Sequence, residues 1–290
     1  MKCTLCPRSC GAERDGKTGA GFCRMPAGLR VARAALHHWE EPPISGKNGA
    51  GTVFFSGCTL RCSYCQNGDI SAGGRGRGIT PERLREIYFE LLGQGAQNIE
   101  LVTPTHFLPW ILPSLEPKLP VPVVYNCGGY ERVETLRLLE GKVDVWLPDL
   151  KYSDGALARE LSGAEDYFPV ACDAIREMFR QTGRPVYDGN GLMRRGVIVR
   201  HLVLPGYLDN TRRVLDWLAE TFAPGDVAVS LMSQYTPPPH MTGRLARRVT
   251  AAEYRAAVAY MRNCGIEDGF VQERTSAEEA YTPAFDGTGV

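Results

Sequence analysis

The chain has 290 residues, with 33 basic and 33 acidic side chains and 43% hydrophobic residues. That is globular composition, with apolar material for one large domain or two small ones. Zero formal charge argues against a nucleic-acid or anionic-membrane partner held by bulk electrostatics. No apolar run approaches a membrane span, and Met1-Lys2-Cys3-Thr4-Leu5-Cys6 lacks a signal peptide's apolar stretch, so a cytoplasmic location is expected.

The first 50 residues are glycine-rich and hold four cysteines, which predicts an appendage, with 51–290 as the main domain. A short apolar piece over 31–39 suggests a strand leading into the body, and 45–51 read as a loop. Residues 52–56 predict a buried strand. The glycine-rich run 73–78 follows a cysteine cluster rather than a strand, so it is read as a mobile loop and not as a phosphate fingerprint. Thr80-Pro81-Glu82 opens a helix to about Leu92, with a cap residue, Pro in the first turn and an early acid. A strand over 98–103 follows, then a short helix over 106–115 interrupted by Pro109 and Pro113. Strands are expected over 121–126 and 143–150, with a helix over 131–139 between them. A long helix at 165–182, a strand at 197–204, a helix at 211–221, a strand at 227–232, a helix at 250–263 and a short strand at 269–271 complete the pattern. Such alternation implies parallel strands with crossover helices. Periodicity alone leaves a barrel and an open doubly wound sheet equally available.

Ten cysteines are the main chemical clue. In a reducing compartment they point to metal or redox chemistry rather than disulfides. Cys58, Cys62 and Cys65 stand at C-x3-C-x2-C directly after the first predicted buried strand. Three close thiolates can hold three irons of a cubane and leave the fourth open to a non-protein ligand. Zinc needs four ligands, and no further His or Cys stands nearby to complete it.

With Tyr64 ahead of the third cysteine, this motif resembles the radical S-adenosylmethionine (SAM) superfamily. The resemblance implies an α/β fold, a partial (β/α)6 TIM-like barrel with a small N-terminal cysteine-rich metal-binding segment. It also implies a 4Fe–4S cluster on Cys58, Cys62 and Cys65, and SAM on the open iron. Reductive cleavage of SAM would then give a 5′-deoxyadenosyl radical that abstracts hydrogen, and no protein side chain beyond those holding cluster and SAM need act catalytically. The segments 121–130, 147–152 and 200–206 extend the likeness to the branch related to pyruvate formate-lyase-activating enzyme, among homologues with an N-terminal cysteine cluster. Strand-end positions then nominate Asn126, Asp149, Lys151 and Arg200 as SAM contacts, and the cysteine loop adds Tyr64, with Asp149–Lys151 also readable as a structural ion pair. Where related enzymes carry a Gly-Gly-Glu-like motif, this chain reads Val102-Thr103-Pro104-Thr105-His106. Thr103 and Thr105 offer hydroxyls there, but the acid is missing. His201 is expected to point behind the barrel, because neighbouring residues on a strand face opposite ways.

Cys3, Cys6, Cys10 and Cys23 offer four thiolates, a closed site for zinc or a second iron–sulfur cluster. A low-potential donor such as flavodoxin or ferredoxin would reduce the catalytic cluster. The substrate expectation is a glycyl-radical protein partner, with a peptide or small metabolite as the alternative. Two other classes stand beside an enzyme: a two-cluster electron carrier, and a zinc-ribbon interaction module fused to a barrel.

Overall fold

A computed structural model describes residues 2–16, 19–271 and 283–290; residues 17–18 and 272–282, within the two expected segments, lie outside the described residues. The strands are β1 (Leu29–His37), β2 (Ala50–Phe55), β3 (Arg77–Ile79), β4 (Ile99–Val102), β5 (Val123–Cys127), β6 (Val145–Pro148), β7 (Val186–Tyr187), β8 (Met193–Leu202), β9 (Ala228–Met232) and β10 (Gly269–Val271). The helices are α1 (Pro42–Ser45), α2 (Gly68–Ser71), α3 (Pro81–Gly93), α4 (Leu108–Ile111), α5 (Val133–Arg137), α6 (Gly155–Ser162), α7 (Tyr167–Thr182), α8 (Leu208–Thr221) and α9 (Ala251–Asn263).

The main sheet runs β10-β9-β8-β6-β5-β4-β2-β1-β3. From β2 through β10 every neighbouring pair on this path is parallel, whereas β1 is antiparallel to both β2 and β3. The path ends at β3 and β10 without joining them, so the sheet is an open, partial barrel. β2, β4, β5, β6 and β9 are buried along their whole lengths. That explains why they read in sequence as continuous apolar runs rather than alternating ones.

Local signals set several helix starts. Thr80 caps α3 by accepting the amide of Arg83, and Thr250 caps α9 in a reciprocal box with Glu253. Helix α6, absent from the sequence expectation, is capped by Asp154 on Leu157 N and ends at Gly163 in the left-handed region. The stretch 106–115 is not one helix. It divides into 3-10 turns at Thr105–Phe107 and Leu112–Leu115 around α4, with Pro109 and Pro113 each near the start of a turn. The glycine-rich 73–78 run is not wholly a loop. Arg77 and Gly78 open β3, pairing with Val31 and Arg30, a long-range partner that local composition does not reveal. The expected 45–51 loop likewise gives up Ala50 and Gly51 to β2. No helix among the described residues is long and apolar enough to cross a membrane.

Candidate active site

Parallel register lines up the carboxyl ends of the strands. Val102 pairs with Asn126, Cys127 with Pro148, and Asp149 with Arg200. Side chains from successive strand ends therefore converge on one side of the sheet. They line a cavity of about 250 Å³ that takes in Cys58, Cys62, Tyr64 and Cys65 from the loop after β2. Its wall also includes Glu40 after β1, Thr103 after β4, Asn126 and Cys127 on β5, Asp149 and Lys151 after β6, and Arg200 on β8.

Each of the three loop thiols faces a hydrogen donor. Leu60 N lies 3.3 Å from Cys58 Sγ, Ser162 Oγ donates to Cys62 Sγ at 3.0 Å, and Cys65 receives the amide of Asn67. Burial and mutual repulsion push the Cys58 thiol up to about 12, and burial raises Cys65. Without a cation Cys58 and Cys65 stay protonated, and a bound cation reverses that preference. Among the described residues no three His, Cys, Asp or Glu side chains converge as the ligands of one ion do. A cubane instead gives each thiolate its own iron. Donor type and donated hydrogen bonds together fit a cluster at Cys58, Cys62 and Cys65. Arg61, inside this loop, holds φ at 51°, in the left-handed region.

Beneath the cavity runs a buried polar network. Glu100 on β4 accepts from Thr52 Oγ1 at 2.7 Å and from Asn126 Nδ2 at 2.8 Å. Arg200 donates from Nη2 to Asn126 Oδ1 (2.5 Å), from Nε to Asp149 Oδ1 (2.9 Å) and from Nη1 to Glu40 Oε2 (3.0 Å). Lys151 Nζ donates to Asp149 Oδ2 at 2.5 Å. Burial alone would raise Asp149, but Arg200 and Lys151 more than reverse it and hold the carboxyl below its ordinary range. Burial drives Glu40 and Glu100 up, only partly offset by Arg200. Asp149 is thus the firm anion between two cations, while Glu40 and Glu100 resist ionisation.

Six of the seven expected SAM contacts, Tyr64, Thr103, Asn126, Asp149, Lys151 and Arg200, line this cavity. Thr105 does not. It is 1% exposed, and its hydroxyl donates to Glu131 and accepts from Tyr125 away from the cavity. The wall also carries an acid that the sequence pattern after β4 lacks: Glu40 comes from the end of the antiparallel strand β1 instead. The signal was local, an acidic pair ending an apolar strand, but its destination depends on the β1–β2 pairing. Glu100, inside a buried run, gave no such signal. His201 is fully buried behind the strand, between Leu150 O and Thr211 Oγ1. His106 meets Ser56 O at 2.7 Å, and His240 meets Ser63 O at 2.8 Å. Cys127 lines the cavity.

No family model matches the chain. Uncharacterized protein MJ0674 of Methanocaldococcus jannaschii is 30% identical over 246 residues, 81% of this chain, and the chain spans 66% of that relative's length. Among solved structures, SuiB of Streptococcus suis bound to SAM matches with TM-score 0.51 at 12% identity, over 75% of this chain and 48% of SuiB. SuiB bound to the precursor peptide SuiA gives 0.52 at 11%, over 75% and 47%. The FeFe-hydrogenase maturase HydG of Carboxydothermus hydrogenoformans gives 0.51 at 12%, over 80% and 55%. At such identities the likeness is one of fold, and the chain spans about half of each protein. These neighbours are radical SAM enzymes, and the partial barrel described above is theirs.

Proposed function

From a chain folded as a radical SAM barrel, we propose an enzyme that cleaves SAM reductively to start hydrogen abstraction from a substrate. The observation that carries the reading is the meeting of three loop thiols and a charged strand-end network in one cavity. Cys58, Cys62 and Cys65 would hold a 4Fe–4S cluster. One electron, delivered by a low-potential donor of the flavodoxin or ferredoxin class, would break the C5′–S bond of SAM to methionine and a 5′-deoxyadenosyl radical, which takes a hydrogen atom from the substrate.

The chain's own residues bind and orient. A bound SAM carries a carboxylate, an ammonium and a sulfonium. Lys151 and Arg200 offer cations to the carboxylate, already fixed in direction by Asp149. Glu40 offers a carboxyl group to the ammonium, whose charge would favour its ionised form, and Asn126 and Thr103 add neutral polar groups. Tyr64 is 6% exposed, with its ring 6.0 Å from that of Tyr235 and its hydroxyl 2.9 Å from Tyr152's. It fixes the loop that carries the cysteines. Across the mouth, Gln66 Nε2 donates to Gln234 O at 2.9 Å, tying that loop to the end of β9.

The substrate we favour is a glycyl-radical protein partner, on the likeness of 121–130, 147–152 and 200–206 to activating enzymes; a peptide or small metabolite is the alternative. The test is anaerobic. Protein reconstituted with iron and sulfide, then given dithionite and SAM, should form 5′-deoxyadenosine, and Cys58→Ala should abolish it. If wild-type protein with a full, reduced cluster neither forms that product nor binds SAM, the proposal fails, and a two-cluster electron carrier takes its place.

A further inference from the structure

We propose that Cys3, Cys6, Cys10 and Cys23 ligate a second, closed metal centre, and that this centre pins the loop bearing Cys58, Cys62 and Cys65. The inference stands apart from the proposed SAM chemistry, because its four ligands all lie outside the cavity.

The four thiols are neighbours in space. Cys3 exchanges backbone hydrogen bonds with Gly11 (3.2 Å) and Ala12 (3.0 Å), just past Cys10. A Cβ on Gly21, two residues before Cys23, would stand 3.0 Å from Cys10 Sγ. Cys6 feels the charge of both Cys3 and Cys23. Cys3 and Cys6 are each 8% exposed, although they sit in a thin segment with little apolar material of its own. Cys23 is half-buried and Cys10 exposed, and four thiols gathered in so thin a segment are a poor core and a good ligand set.

A second observation points to metal. Cys6 receives the backbone N–H of Arg8, and Cys23 that of Met25. The donor is two residues beyond the cysteine in both cases. The same offset recurs at Cys58 with Leu60 and at Cys65 with Asn67. The backbone also bends alike at Cys6 and Cys58: Ser9, three residues past Cys6, holds φ at 40°, and Arg61, three past Cys58, at 51°. Amide hydrogens aimed at sulfur favour the thiolate, the form that binds metal. One local geometry is therefore built twice. With four thiolates the N-terminal centre has no open position, which suits a structural or electron-relay role rather than substrate binding.

The pinning follows from contacts. Arg8 donates to Thr59 O at 2.9 Å and to Ser162 O at 2.6 Å, and also reaches Gly163 O. Arg61 donates to Phe22 O at 3.3 Å. Gly57, with φ at +80°, lies so close that a Cβ there would stand 2.4 Å from Met25 Cγ and 3.0 Å from Cys23 O. The residues around Cys23 thus pack on the residue just before Cys58.

The test uses the full chain with the catalytic cysteines removed, C58A/C62A/C65A, prepared once with iron and sulfide and once with zinc. Retention of about four irons with sulfide per chain is expected, because no three of these thiols converge as the ligands of a single zinc ion do; about one zinc retained in its place keeps the centre and changes its metal. Adding C10S and C23S should abolish retention. A triple variant that is folded by circular dichroism yet retains neither metal overturns the centre. Hydrogen exchange addresses the pinning: stripping the metal from the triple variant should speed exchange of the backbone amides at positions 63 and 65 at least tenfold. Unchanged exchange there overturns it.

Discussion

Replacing Asp149 by asparagine keeps the side chain's size and removes its charge. Asp149 accepts from Arg200 at 2.9 Å and Lys151 at 2.5 Å, and the three side chains are only 13%, 12% and 19% exposed. Arg200 keeps Glu40 and Asn126. Lys151 has no other carboxylate at ion-pair distance among the described residues, so the stranded charge is its own. Removing one partner of a buried pair costs about 3–5 kcal/mol, because the remaining charge is left desolvated. Lys151→Met leaves Asp149 with Arg200 and should cost less, about 1–3 kcal/mol for one charge-assisted bond. The double variant should then lose at least about 1 kcal/mol less than the sum of the singles, since no lysine remains to be stranded. Urea unfolding of the cluster-free protein, under anaerobic reducing conditions at neutral pH, measures all three. A cost below about 1 kcal/mol for Asp149→Asn, or strict additivity, would refute the placement of the uncompensated charge on Lys151.

Three further outcomes are expected. Glu131 is buried with one unpartnered oxygen, and burial raises its carboxyl to about 8. The fold prefers the protonated form, so its contribution is full below about pH 4.5 and fades as pH rises through 8, a swing on the order of 5 kcal/mol. Glu131→Gln should flatten that part of the stability–pH curve, and an unchanged slope in urea titrations would contradict it. Ser162→Ala removes the donor to Cys62 Sγ and should make the reconstituted catalytic cluster harder to reduce, by roughly 50 mV for one hydrogen bond's worth of stabilisation. An electron paramagnetic resonance redox titration reads the shift, and a move to higher potential would count against it. Gly129→Ala puts a Cβ 2.1 Å from Asp149 O at φ +77°, and should cost about 3 kcal/mol or more by denaturant unfolding.

The sequence by itself determined the chemistry-bearing triplet, the alternation of strands and helices, and the strand-end positions of Asn126, Asp149, Lys151 and Arg200. Each is a short-range property: thiol spacing, apolar runs, and polar residues that follow them. Cap chemistry also placed the start of α3, because Thr80 acts within one turn of itself. Tertiary structure decided what depends on distant partners. Thr105 shares a five-residue segment with Thr103, yet the turn after β4 sends its hydroxyl to Glu131 and leaves Thr103 in the cavity. Glu40 reaches that cavity only because β1 pairs antiparallel to β2 and delivers its end to Arg200, 160 residues away in sequence. Choosing between a barrel and a doubly wound sheet likewise needed the pairing order, since identical local periodicity serves both. The open path from β3 to β10 is a fact about which edges meet, and no window of sequence contains it.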